Sequence, residues 1–144
     1  MPTKRAAVDA WEALFRAQVA VLRDISVGFP TDQLTIVEYD VLFNLSKLPD
    51  WSARPRDLTP LLLVSQPSVS RMIDRLVERA LVTKSRDPVD GRGTVVTLTQ
   101  AGYDLFRRVA AQHSEAIAKR FGDRLDDAEL AQLVELCDRL RRTE

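Results

Sequence analysis

The sequence predicts a mainly α-helical chain with one small β-hairpin set between long helices. Three observations point to this. Apolar residues recur at three- and four-residue spacing near both ends, the period shifts toward two between Leu81 and Leu98, and Gly and Pro gather where elements stop. The 144 residues include 21 Lys+Arg, 21 Asp+Glu and 45% hydrophobic side chains, the profile of one ordinary globular domain rather than a disordered or fibrous chain. A chain near this length buries roughly 68–70% of its unfolded surface, so it needs neither disulfide nor metal as a staple.

The first segment places Val8, Trp11, Phe15, Leu22, Ile25 and Phe29 on one helical face, with Gln18 as the polar interruption and Gly28 and Pro30 as the stop. Thr35 and Glu38 have the spacing with which side chain and backbone cap each other at a helix start. The second helix follows, burying Val37, Val41, Leu42, Leu45 and Leu48. Pro49-Asp50-Trp51-Ser52 reads as a loop, and a short helix spans Arg56 to Leu63, where Pro60 shortens or kinks it because it lacks a backbone donor.

Ser65 is placed to cap the next helix, with Pro67 in the first turn, where the missing amide proton is harmless. Val69, Met72, Ile73, Leu76 and Val77 form its apolar stripe, leaving Pro67, Ser68, Arg71, Asp74, Arg75 and Glu78 outside. Val82, Lys84 and Arg86 then alternate into the turn-rich stretch Asp87 to Gly93, and Thr94 to Leu98 returns as the second strand. Asp90-Gly91 tolerates positive φ at a tight reversal. Thr99 caps a long helix carrying Phe106, Val109, His113, Ile117 and Phe121, closed by Gly122. Asp126 and Glu129 open a last helix whose buried face is Leu130, Leu133, Val134, Cys137 and Leu140.

Several function classes drop out. The longest apolar runs, such as Leu61 to Val64, fall far below the ~18 residues of a membrane-spanning helix. Lys4 and Arg5 resemble the start of a secretory signal, but Asp9 and Glu12 interrupt its apolar core, so the expectation is a soluble cytoplasmic protein with no membrane partner. One Cys makes no intrachain bridge, and one His with one Cys speaks against an all-protein zinc or haem site; no cofactor is expected. A lone His on a helix stripe also disfavours a Ser-His-Asp triad, and Gly91-Arg92-Gly93 is too short for a phosphate loop, so an enzyme is not expected.

The formal net charge is zero, yet it is unevenly placed. Residues 1–50 carry 5 Lys/Arg against 7 Asp/Glu, residues 51–100 carry 8 against 5, and residues 101–144 carry 8 against 9. Only the middle third is basic. There a short helix, a turn and a second helix with a polar outer face lead at once into a basic hairpin, the pattern of a winged helix-turn-helix. The second helix is slim enough for the major groove, with Gln66, Ser68 and Ser70 near its start facing base edges and Arg71 and Arg75 facing guanine or phosphate. Lys84 and Arg86 along the strand and Arg92 at the tip suit a narrow minor groove of negative potential. Asp90 is spaced to hold the Arg92 guanidinium by a charge-assisted bond.

These residues resemble the MarR family of bacterial transcription regulators over about residues 8–142. Ser65-Gln66-Pro67-Ser68-Val69-Ser70-Arg71 with Asp74-Arg75-Leu76 is similar to that family's recognition helix. Asp90, Arg92, Leu98 and Thr99 meet its wing signature of Asp, any residue, Arg, five residues, then Leu-Thr. The chain departs from the pattern at Pro60, at Leu63 and at Ala80, the latter two standing where Gly is frequent. The resemblance implies a single domain over 1–144, with 34–99 as the winged helix-turn-helix and 5–30 and 100–142 as flanking dimerisation helices. It also implies a homodimer on a palindromic double-stranded DNA operator, usually a repressor released by a small-molecule effector or an oxidant; no effector-pocket residues are assigned.

The dimer follows from the residues as well. Trp11, Leu14, Phe15, Phe106, Ile117, Phe121, Leu133 and Leu140 offer more apolar surface than one slender winged module covers. His113 and Cys137 sit on helix stripes, where a packed role outweighs pH or redox sensing. Trp11, Phe15, Tyr39 and Phe43 at helical spacing read as core before they read as a pocket. The rival function is a winged module for protein contact alone, which would show no salt-sensitive duplex binding.

Overall fold

The computed structural model describes residues 1–62 and 66–143, with the side chain of Gln66 outside that set. Two compact units divide the chain, one formed by Phe29–Gln112 and one by Met1–Gly28 with His113–Glu144. The architecture is mainly helical with a small antiparallel sheet, as the spacing predicts.

In the unit Phe29–Gln112, helix α2 (Ile36–Lys47) begins at Thr35, whose Oγ1 accepts from the Glu38 N–H at 3.1 Å while Glu38 Oε1 accepts from the Thr35 N–H at 2.9 Å. The third helix is shorter than its expected span: α3 is Pro55–Leu58, followed by a 3₁₀ turn at Thr59–Leu61. Pro60 accounts for the break, because an α-helical fourth-residue hydrogen bond needs the amide proton it lacks. Helix α4 (Gln66–Glu78) then leads to strands β2 (Val82–Arg86) and β3 (Thr94–Leu98), and α5 is Gln100–Gly122. The expected Ser65 cap lies outside the described residues.

The sheet has a third strand that the sequence reading left in a loop. Strand β1 (Ser52–Ala53) pairs with β3, giving the order β1-β3-β2, with Ser52 opposite Thr97 and their hydroxyl oxygens 2.7 Å apart. Two residues are too short for periodicity to announce. Strand β2 also departs from alternation, for Val82 is buried and Thr83 to Arg86 are all exposed. Its far end extends past the core, so no face of it needs to be apolar. The core joins Leu42 and Leu45 of α2, Leu58 of α3, Val69, Ile73 and Leu76 of α4, Val82, Val96 and Leu98 of the sheet, and Leu105 and Val109 of α5. Each buried leucine of this kind contributes roughly 1.5–3 kcal/mol. Phe29 belongs here too, packed edge-on against Tyr39 at 5.5 Å between ring centroids, and not to the first helix.

The end of α4 is tightly determined. Ala80 takes φ 57°, its N–H donates to the Val77 carbonyl at 2.9 Å, and the Leu81 N–H donates to the Leu76 carbonyl at 3.0 Å. This is the left-handed helix stop that Gly normally occupies, here closed by Ala with the usual apolar contact between the buried Leu76 and Leu81. Thr99 then binds the same junction: its Oγ1 donates toward the Ala80 and Leu81 carbonyls, at 2.8 and 3.0 Å, and accepts from the Gly102 N–H at 3.0 Å, capping α5. A Cβ on Gly102 would lie 2.1 Å from the Leu81 carbonyl oxygen.

The other unit holds α1 (Lys4–Ser26), the C-terminal part of α5 and α6 (Asp127–Arg141). The expected box at Asp126 and Glu129 forms, with Glu129 N–H donating to Asp126 Oδ1 at 2.9 Å. Among the described residues none of α1 or α6 is buried within this chain, and Trp11, Phe15, Val134 and Leu140 are 63%, 54%, 62% and 72% exposed. Leu14, Val21, Leu22, Ile25, Phe121, Leu133 and Cys137 line a largely apolar cavity of about 330 Å³ between these helices. No described helix is long and apolar enough to cross a membrane.

The junction makes two stability predictions. Replacing Ala80 by Gly relieves the left-handed strain and raises stability by about 0.5–1 kcal/mol, a gain of a few degrees in Tm by calorimetry. Gly102→Ala forces the added methyl group against the Leu81 carbonyl and lowers stability by about 1–3 kcal/mol.

Candidate nucleic-acid interface

Helix α4 sorts its residues by depth. Val69, Met72, Ile73 and Leu76 are buried, whereas Ser70, Arg71, Asp74 and Arg75 are exposed, because the 3.6-residue turn sends every third or fourth side chain into the core. Ser68 is half-buried, and so sits at the margin of the outer face rather than on it. The expectation for Gln66 rests on a side chain outside the described residues.

Lys84, Arg86 and Arg92 are exposed on the adjoining hairpin, around an open concavity of about 510 Å³ that Ser85, Gly91, Gly93 and Thr94 also line. Lys84 Nζ is ion-paired to Asp74 of α4. That contact spans helix and strand and neutralises part of the charge that Lys84 was expected to offer. Both partners are substantially exposed, so the pair stabilises by under about 1 kcal/mol and exchanges readily with water or another anion. Among the described residues, Arg71, Arg75, Arg86 and Arg92 have no carboxylate within ion-pair distance.

The wing loop is not built as the sequence reading has it. The Asp90 carboxylate does not hold the Arg92 guanidinium; its Oδ1 accepts from the Arg92 backbone N–H at 3.1 Å. A separation of two residues favours this short backbone ring, because a long arginine side chain would have to fold back to reach the same oxygen. Neither Gly91 nor Gly93 takes positive φ. The reversal spans residues 87–93, too long to need the left-handed pair of a two-residue hairpin. Instead Asp87 N–H donates to the Gly93 carbonyl and Gly93 N–H to the Asp90 carbonyl, both at 2.9 Å.

Asp87 and Arg54 pair at the base of this hairpin, a contact that sequence reasoning missed. Asp87 is 3% exposed, its Oδ1 accepts from the Val89 N–H at 2.9 Å, and its Oδ2 lies 2.5 Å from Arg54 Nε. The Val89 N–H, with lesser help from the Asp90 N–H and the Arg54 charge, holds this carboxyl below the usual carboxylate range even though burial opposes ionisation. An Asp preceding Pro88 looks like a turn former in sequence, and nothing local announces a partner far upstream.

Behind the hairpin, Asp50 and Trp51 take φ of 57° and 54°, and the Trp51 ring stacks on Tyr103 of α5 at 4.6 Å. Left-handed backbone at a bulky residue is strained and persists only where packing over-determines it. Tyr39, Phe43, Tyr103 and Phe106 form a contiguous aromatic cluster, with burial first and Asp40 second raising the Tyr39 hydroxyl above its ordinary value. Burial lowers the His113 imidazole, leaving it neutral at pH 7. Among the described residues no group of His, Cys, Asp and Glu could hold a metal ion.

Asp87 generates a pH prediction. A carboxyl whose folded pKa is depressed adds stability that is complete above its unfolded value, about 3.9, and is lost as pH falls through the folded value. In urea titrations from pH 7 to 2, the stability advantage of the parent over Asp87→Asn therefore shrinks below about pH 4. A constant difference across that range would contradict the assignment.

Comparison with known proteins places this geometry among relatives. The sequence model of the MarR family matches residues 32–93. The uncharacterized HTH-type transcriptional regulator YpoP of Bacillus subtilis is 34% identical over 129 residues, covering 90% of this chain and 89% of that protein. Among solved structures, BpsR of Bordetella bronchiseptica, whose DNA binding is regulated by 6-hydroxynicotinic acid, aligns with a TM-score of 0.78 and 26% identity, over 92% of this chain and 93% of that one. Sco3205 of Streptomyces coelicolor, a MarR family regulator in complex with DNA, aligns with a TM-score of 0.78 over 97% and 88%, a likeness of fold at 23% identity.

Proposed function

The chain belongs to the MarR family of transcriptional regulators, and from that premise we propose that it acts as a homodimeric repressor on a palindromic double-stranded DNA operator, released by a small-molecule effector. The observation that carries the reading is the unpaired cationic pairing of Arg71 and Arg75 on α4 with Arg86 and Arg92 on the wing, in a chain of zero net charge. Helix α4 enters the major groove, where Ser70 and Arg71 meet base edges, Arg75 meets phosphate, and Ser68 flanks the contact. Arg92 enters the minor groove, Arg86 and Lys84 line its approach, and Asp90 shapes the loop. Lys84 must exchange Asp74 for a phosphate, so its contribution is smaller than that of Arg86.

The bare apolar faces of α1 and α6, with Trp11, Phe15 and Leu140 in solvent, support pairing with a second copy through these helices. Two-fold symmetry then places the recognition helices about 34 Å apart, one turn of duplex. The regulated binding of BpsR supports an effector of small-molecule class.

Selection of bound fragments from random duplex DNA tests the reading, and half-sites centred about 10–10.5 base pairs apart are expected. On the selected operator, Arg92→Ala weakens binding about tenfold or more and lowers the log–log salt slope by about one unit, while the helicity and oligomeric state hold. Arg71→Ala erodes discrimination between operator and unrelated DNA. Unchanged operator affinity in Arg92→Ala would remove the wing from the interface, and an absence of any salt-dependent duplex binding would favour a protein-contact module.

A further inference from the structure

We propose that Arg54 is a positioning residue for the wing, setting the pose of Arg92 through Asp87 without itself contacting DNA; the inference rests on the wing reading above. Arg54 stands at the N-cap of α3 directly after β1, with its side chain 31% exposed, and its Nε is fixed 2.5 Å from Asp87 Oδ2. From Asp87 a continuous series of hydrogen bonds runs to the tip. Oδ1 accepts from the Val89 N–H at 2.9 Å, the Asp87 N–H donates to the Gly93 carbonyl at 2.9 Å, the Gly93 N–H donates to the Asp90 carbonyl at 2.9 Å, and Asp90 Oδ1 accepts from the Arg92 N–H at 3.1 Å.

Packing cannot do this work. Pro88, Val89, Asp90, Gly91 and Arg92 are all exposed, Val89 at 86%, so the tip buries no apolar surface to offset the entropy of ordering its backbone. What orders it is the anchored carboxylate at its root. Asp87 is the buried member of that pair, and a buried carboxylate deprived of its cation either protonates or swings into water. Swinging outward breaks the Val89 bond that ties the Asp87 side chain to the loop backbone, which loosens the segment bearing Arg92. The Arg54 charge is meanwhile spent on Asp87, which distinguishes it from the unpaired Arg71, Arg75, Arg86 and Arg92.

A double-mutant cycle tests the proposal, with the affinity of full-length protein for its selected operator measured by fluorescence anisotropy and folding checked by circular dichroism. Arg54→Ala is expected to weaken binding about five- to tenfold, and Arg54→Ala/Arg92→Ala to bind no more weakly than Arg92→Ala alone, because the first residue acts only through the second. Amide exchange at Val89 and Arg92 accelerates in Arg54→Ala while the α4 amides keep their protection. Arg54→Lys, which keeps the charge but loses the planar fork, gives an intermediate loss that likewise disappears in the Arg92→Ala background, and serves should Arg54→Ala fold poorly. Losses that multiply in the double variant, with a further drop in salt slope, would make Arg54 a phosphate contact and overturn the inference alone. An inert Arg92→Ala would overturn the wing reading and this inference with it.

Discussion

The Leu81 carbonyl oxygen is the point on which the winged unit depends. The Thr99 N–H and hydroxyl both donate to it, at 3.1 and 3.0 Å, and Gly102 comes so close that no side chain fits between. The end of α4, the start of β2 and the start of α5 are thus joined through backbone atoms. A carbonyl with two lone pairs accepts both bonds without leaving a buried polar group unsatisfied. This joint fixes where α4 ends and the hairpin begins through short-range bonds that no side-chain rotamer change can undo.

Around that joint, charge is distributed by pairing. The middle third of the chain has 8 cationic and 5 anionic residues, yet Arg54 is committed to Asp87, Arg79 to Glu38 and the Gln33 carbonyl, and Lys84 to Asp74. Arg56 of α3 lies beside its neighbour Asp57, and the cations left over, Arg71, Arg75, Arg86 and Arg92, face solvent on α4 and the hairpin. A chain of zero net charge presents a local positive surface because nearby Asp74 and Asp87 are paired to other cations, and such a field attracts a polyanion at close range without a net charge to extend it.

Legibility in the sequence followed the range of each interaction. The capping boxes at Thr35 and Asp126, the stripe of α4 and the cap at Thr99 depend on neighbours three or four residues away, and the pattern displays them. Pro60 announced its break for the same local reason. Strand β1 was invisible, because Ser52 and Ala53 are extended only by pairing with Thr97 and Val96. The Arg54–Asp87 and Asp74–Lys84 pairs were invisible too, since contacts between elements leave no periodic trace. At Asp90 the reading named the right residue and the wrong donor: proximity in sequence favours the backbone N–H over the far end of the side chain. Ala80 is the opposite case, a position where the departure from Gly was legible and the φ of 57° supplies its physical meaning.

The two tryptophans fall one in each unit, and in opposite surroundings. Trp11 stands 63% exposed on α1, while Trp51 is half-buried against Tyr103 at the foot of the sheet. Their emission is therefore separable by colour and by accessibility to a quencher such as iodide. The molecule contains its own pair of optical reporters, the red-shifted one responsive to whatever covers α1 and the blue-shifted one to the integrity of the β1 edge.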